Sequence, residues 1–107
     1  MLLTVLEALV DPARVGELRA AFAAAGAGGP LPDGLLRSEL LQSVAEPGRW
    51  RLETLWASRA ALERMRARGT PAGLLMFRAA GAEPALSVYE VAARLPAPER
   101  PGAPPPA

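Results

Sequence analysis

The chain contains no cysteine and no histidine, and its 107 residues include no lysine, asparagine or isoleucine either. Without cysteine and histidine there is no disulfide framework, no Cys/His zinc centre, no imidazole-ligated haem and no histidine-dependent triad. Without lysine, Schiff-base chemistry and a phosphate-binding P-loop are excluded as well. All twelve basic residues are arginines, set against eleven acids for a net charge of +1. They are spread among the acids and form no basic face, so no nucleic-acid partner is expected. Long apolar runs are also missing. Met1 to Val10 carries Glu7, lacks a basic start and runs into a helix-start signal, so it does not read as a targeting segment. No stretch approaches the roughly 20 apolar residues that a membrane span needs. The expectation is a cytoplasmic protein with no membrane contact.

What is present is globular in composition, with 50% apolar and 21% charged residues. The length suits one domain. A domain of this size buries only about 60–65% of the surface its unfolded chain exposes, so self-association is a natural way to add burial.

Leu2 to Val10 reads as a buried strand, and Asp11-Pro12 after it as the cap and first turn of a helix. Val15, Leu18, Phe22 and Ala25 form one apolar stripe on that helix, which the Gly26 to Pro30 stretch ends. Leu35 to Val44 and Arg49 to Trp56 flank a Pro47-Gly48 turn and read as a hairpin. Ser58 caps a second helix carrying Ala61, Leu62 and Met65; Thr70-Pro71 opens a short third helix through Phe77. Leu86 to Arg94 makes the last strand. From Pro96 onward, six of the twelve prolines fall in the final dozen residues, which predicts a disordered or extended tail over 96–107 behind a domain over 1–95. The order of strands and helices is that of the ferredoxin-like split βαβ arrangement, an α+β antiparallel sheet with its helices on one face.

Alternation along a strand separates two faces. The even positions Leu36, Ser38, Leu40, Gln42, Val44, Trp50, Leu52, Thr54 and Trp56 make a largely apolar face, expected beneath Phe22, Leu18, Leu62 and Met65. The odd face combines Leu3, Val5, Leu9, Leu41 and Leu55 with Glu7, Arg37, Glu39, Arg51 and Glu53. So many leucines on a bare face favour a homodimer through that face, the alternative being a partly apolar but solvated sheet.

Thr54-Leu55-Trp56-Ala57-Ser58-Arg59-Ala60-Ala61-Leu62 resembles the Trp-x-Ser-x-x-Ala-Leu stretch that closes the third strand in the antibiotic biosynthesis monooxygenase (ABM) domain family. Glu46 to Trp50 is similar to that family's turn before strand three, Pro32 to Leu36 to its approach to strand two, and Glu83 to Val91 to its final strand. The resemblance covers roughly residues 2 to 94. It implies a dimeric α+β barrel and, in each subunit, a pocket between sheet and helices with Trp56 in its wall. The family includes cofactor-free monooxygenases of phenolic polyketides, haem-degrading enzymes and members without known activity. The haem-degrading branch uses an asparagine, a tryptophan and a histidine, of which only Trp56 has a counterpart; the quinone-forming branch also leans on an asparagine.

The resulting expectation is a cofactor-independent monooxygenase of a small aromatic or polyphenolic molecule, with no metal and no cofactor. Trp56 is the candidate catalytic residue, as donor or wall, and Phe22, Trp50, Met65, Phe77 and Tyr89 are the candidate substrate-binding residues. A base would be a carboxylate among Glu7, Glu39, Glu53 and Glu90, or solvent, and Arg78 could stabilise an anion. Each aromatic also has a plain reading as core, and Ser58 is a cap before it is a nucleophile. The alternative function is a non-catalytic dimeric module that binds a small hydrophobic ligand or serves as a scaffold. Haem degradation is disfavoured, with only Tyr89, Met65 and Met76 as axial ligands.

Overall fold

A computed structural model describes residues 1–96; the proline-rich tail expected from Pro96 onward otherwise falls outside them. The chain runs β1 (Leu2–Leu9), α1 (Val15–Ala27), β2 (Leu35–Gln42), β3 (Arg49–Trp56), α2 (Arg59–Ala67), α3 (Ala72–Ala79) and β4 (Ala85–Glu90). The strands form one sheet in the order β2-β3-β1-β4, every neighbouring pair antiparallel. This is the expected ferredoxin-like α+β fold. None of the described helices is long and apolar enough to cross a membrane.

Local chemistry sets the element ends. The Asp11 carboxylate accepts the Ala13 N–H at 2.9 Å, but it caps a single 3-10 turn, Pro12–Arg14, and the α-helix begins only at Val15. Ser58, in extended backbone, accepts the Ala61 N–H at 3.1 Å and starts α2 as a Ser cap should. Thr70 does not cap α3; Pro71 occupies that position without a side-chain bond. Gly34, at φ +83°, passes so close to α2 that a Cβ there would run into Ala61. Two exposed guanidinium–carboxylate pairs tie helix ends, Arg14 to Glu17 and Arg78 to Glu83. Hydrogen bonding to the arginine holds each carboxyl below its ordinary value. Their small contributions are therefore present at neutral pH and fade as pH falls through the carboxylate range.

The register of β1 on β3 places Leu2, Thr4, Leu6 and Ala8 opposite Trp56, Thr54, Leu52 and Trp50, all on the helix side. Two apolar clusters grow from this face. One joins Leu6, Val10, Trp50 and Leu52 to Leu18 of α1, to Met76 and Phe77 of α3 and to Ala80 just after it; the other joins Leu2 and Trp56 to Ala61 and Leu62 of α2. Leu18 and Phe77 are 0% exposed. At Gly73 a Cβ would lie only 2.7 Å from Leu6 Cδ1 and 2.8 Å from Leu52 Cδ2, so the glycine lets α3 approach the sheet.

Strict alternation fails at one point. Leu35 pairs with Trp56 and Arg37 with Leu55, so a β-bulge inserts Leu36 as an extra residue. Leu35 thereby packs on the Trp56 cluster, where parity placed Leu36, and Leu36 is left 52% exposed. The outer face carries the expected mixture of Leu3, Val5, Leu9, Leu41 and Leu55 with charged side chains. Val5 and Leu55 are buried, whereas Leu9 and Leu41 are exposed. Arg51 reaches Glu7 at 3.2 Å across the strands, and Arg37 pairs with Glu39. Edge strand β4 is exposed along its whole length.

The bulge separates two adjacent leucines energetically. Leu35→Ala should lower stability by about 1–2 kcal/mol and Leu36→Ala by less than about 0.5 kcal/mol, read from urea midpoints. The reverse order would mean that simple alternation continues through the start of β2.

Candidate functional site

Between the two apolar clusters the helix layer does not close on the sheet. The space left is a cavity of about 400 Å³. Its floor is the middle of the sheet, with Thr4 and Leu6 from β1, Leu52, Thr54 and Trp56 from β3, and Ser38 from β2. Phe22 of α1, Met65 of α2 and Met76 of α3 form the opposite wall. The mouth is marked by Leu31 and Leu36, which line the cavity while remaining about half exposed.

The lining is apolar except for one strip. Thr4, Thr54 and Ser38 stand side by side across three strands, because Thr4 pairs with Thr54 and Thr54 with Ser38 in the sheet register. Trp56, one helix-side step further along β3, donates its indole N–H to Thr4 Oγ1 at 3.2 Å. Thr4 Oγ1 in turn donates to the Thr54 carbonyl at 3.4 Å. Ser38 Oγ and Thr54 Oγ1 share a hydrogen bond of 2.9 Å. Arg37 is the one charged residue in the lining, and its guanidinium is engaged with Glu39.

Of the residues expected to form the site, Trp56, Phe22 and Met65 meet here. Trp50, Phe77 and Tyr89 do not line the cavity. Phe77 is core beneath α3. Tyr89 pairs with Leu3 on the outer face of the sheet and is 54% exposed, because β4 presents its odd residues away from the helices. Trp50 borders a second, shallow groove of about 470 Å³ along β2, which shares Phe22 and Ser38 with the cavity, and the Arg19 guanidinium lies 5.8 Å above the Trp50 ring. Its indole N–H is buried without a partner among the described residues.

The candidate acids are also elsewhere. Glu7 and Glu53 share the outer face with Glu39, Glu90 ends the exposed edge strand, and Arg78 is held by Glu83 at 2.9 and 3.0 Å. Met65 and Met76 line the cavity but Tyr89 is on the other side of the sheet. No cluster of three or more His, Cys, Asp or Glu suited to a metal ion occurs among the described residues.

The sequence reading missed Thr4, Ser38 and Thr54 as site residues. The signal was available: these are polar residues at helix-side positions of strands whose other helix-side residues are mostly apolar. Hydroxyls drawn out of water need partners, so buried Thr54 flanked by half-buried Thr4 and Ser38 marks a place where the core is not simply filled.

No curated protein matches this chain in sequence. Solved structures do match its fold. SnoaB, a cofactor-independent oxygenase from Streptomyces nogalater, is 21% identical over 89% of this chain and 96% of its own, with TM-scores of 0.69 and 0.64 in two structures. Rv0793 from Mycobacterium tuberculosis is 24% identical over 83% of this chain and 92% of that one, at a TM-score of 0.62. A conserved protein from Methanosarcina mazei is 15% identical over 82% and 89% of the two chains, at 0.66. The family model for antibiotic biosynthesis monooxygenase matches residues 1–70, from β1 through the whole hairpin and α2. That match spans well over half of the chain and includes the whole cavity floor, and the chain belongs to the antibiotic biosynthesis monooxygenase (ABM) family.

Proposed function

We propose that this protein is a cytoplasmic, homodimeric, cofactor-independent monooxygenase that oxidises a small aromatic or polyphenolic molecule with dioxygen. The observation that carries the reading is the cavity itself: about 400 Å³, apolar-walled, bounded by Trp56 and Phe22, with one strip of hydroxyls on its floor. That volume is in the range of small-molecule sites. The likeness of fold to SnoaB supports the same direction.

The chemistry asks little of the protein. A substrate that has lost a proton becomes electron-rich and passes one electron to dioxygen. The two radicals join at carbon, the peroxide takes up a proton, and loss of water leaves a carbonyl. The balance is one CH₂ group plus O₂ giving one C=O group plus water. The protein contributes orientation of the ring, exclusion of water and donors for the oxygen that bears the charge. Trp56 acts here as wall and brace: its N–H is already given to Thr4. Since no carboxylate lines the cavity, the substrate's proton leaves to solvent at the mouth.

A second reading, a non-catalytic module for a small hydrophobic ligand, is favoured by that same lack of an acid or base in the lining. Oxygen uptake with a panel of anthrones, whose reacting carbon is a CH₂ group, separates the two. The expected result is uptake with at least one of them, and a fall in kcat/KM of about three- to tenfold in Trp56→Phe, the size of one hydrogen bond. Binding without uptake across the panel supports the module. Where uptake occurs, its rate should rise with pH along the substrate's own ionisation, as measured by free spectrophotometric titration of that substrate. A profile set by an enzyme group, the same for substrates of different acidity, would contradict the cavity's lack of a base.

The dimer is proposed through the outer sheet face, where Leu9, Leu41 and Tyr89 are exposed beside ion-paired side chains. Covering them would add apolar burial to a domain with little of its own. Sedimentation at micromolar concentration should give about twice the 11.2 kDa chain mass. A mass of 11.2 kDa would sink this part of the reading.

A further inference from the structure

We infer that the Ser38–Thr54 hydroxyl pair is the anchor for the ligand's oxygen, and that it selects a keto or phenolic oxygen over a carboxylate. This rests on the reading of the cavity as a site for a small aromatic molecule, and goes beyond it by naming the group that holds the polar end.

The argument is a count of hydrogens. The strip contains four side-chain donors: the Trp56 indole N–H and the hydroxyls of Thr4, Thr54 and Ser38. Trp56 gives its hydrogen to Thr4 Oγ1 at 3.2 Å, and Thr4 gives its own to the Thr54 carbonyl at 3.4 Å. Ser38 and Thr54 stand 2.9 Å apart, and one hydrogen makes the bond between them whichever of the two donates. The other hydrogen has no acceptor among the described residues. Both hydroxyls belong to side chains that line the cavity. The pair therefore has a donor to spare where a ligand would lie, and neither Trp56 nor Thr4 does.

The pair is also adjustable. Since either oxygen can donate to the other, the free hydrogen can be presented from Ser38 or from Thr54 without moving the backbone. An oxygen at this level of the floor would have its ring carried onto Leu6, Leu52 and Trp56, with Phe22, Met65 and Met76 opposite. Such walls suit a flat apolar body with one acceptor.

Charge decides between acceptors. A carboxylate concentrates its charge on two oxygens and loses strong hydration on entering an apolar space. The one cation in the lining, Arg37, is paired with Glu39, whose charge offsets its own, so the pair offers an anion little net attraction in return. A ketone, a phenol or a phenolate delocalised over its ring loses far less and needs only the one hydrogen bond that the pair can supply.

Binding under anaerobic conditions, read by isothermal titration calorimetry, tests this without any turnover. The probes are naphthalene, 1-naphthol and 1-naphthoate, which share one ring system and differ in the polar group. Wild-type protein should bind 1-naphthol about three- to tenfold more tightly than naphthalene, and 1-naphthoate more weakly than 1-naphthol. In the double variant Ser38→Ala/Thr54→Val the affinity for 1-naphthol should fall to that for naphthalene, while naphthalene itself binds as before. A damaged wall would weaken both ligands together, and that result overturns the inference. So does a wild-type protein that does not distinguish naphthol from naphthalene, or that prefers the naphthoate; these outcomes leave the aromatic-site reading standing. Failure to bind any of the three removes both. The ranking by wild-type protein stands as a test even where the double variant does not fold.

Discussion

The register between β1 and β3 is the constraint on which the rest depends. These two strands occupy the middle of the sheet, and their pairing sets Leu2, Thr4, Leu6 and Ala8 against Trp56, Thr54, Leu52 and Trp50 on a single face. A slip by one residue would send one strand's entire set to the other side. Glu7 would then lie under the helices and Leu6 in solvent. The apolar residues at both ends of this face hold the register, because each end has its own helices to bury against: α1 and α3 over Trp50, α2 over Trp56. The middle, where Thr4 meets Thr54, is then brought together by pressure from its flanks rather than by its own burial.

That arrangement divides the protein by function. The charges that strands β1, β2 and β3 carry are concentrated on the outer face, where Glu7 pairs with Arg51 and Arg37 with Glu39. Apart from Arg37, paired with Glu39 at its rim, the helix-side cavity holds only neutral donors and acceptors. A site of this kind can orient a ligand and exclude water, but no carboxylate lines it to take up a proton. Trp56 is a brace in this scheme. Its ring is part of the α2 cluster and its N–H fixes Thr4, which leaves the Ser38–Thr54 pair as the polar group with something to offer.

Much of this was legible in the sequence, and the parts that were not have physical reasons. Element order, the two faces of the hairpin and the family resemblance all follow from local signals: Ser58 as a cap, Pro47-Gly48 as a turn, and alternation through Trp50, Leu52, Thr54 and Trp56. Trp56, Phe22 and Met65 share the helix-facing side, which alternation along β3 and the apolar stripes of the helices make legible. Alternation misplaces Leu36 because a bulge is a property of two strands in register, invisible in either strand read alone. The side of the sheet that Tyr89 takes depends on how β4 pairs with β1, and a short strand read alone does not reveal this. Phe77 and Trp50 have the residue type and face of pocket residues; what keeps them out is where the cavity stops, which depends on how closely the helices approach the sheet. The hydroxyl row is hidden for a simpler reason: on a largely apolar strand face, single polar residues look like interruptions of the pattern.

Those interruptions are hard to explain as folding devices. A domain this small has little core to spare, and valine at Thr4 or Thr54 would bury as well without any donor to satisfy. Ala25, Gly26 and Ala72 also line the cavity, at positions where a longer apolar side chain could fill it. The hollow and the hydroxyls therefore coincide where a chain shaped for stability alone would have a solid core. Elsewhere the protein does pack tightly: Leu18 and Phe77 are wholly buried, and at Gly73 even a methyl group would crowd Leu6 and Leu52. Tight packing at both ends of the sheet and an unfilled, partly polar middle fit a core whose missing volume is supplied by a ligand.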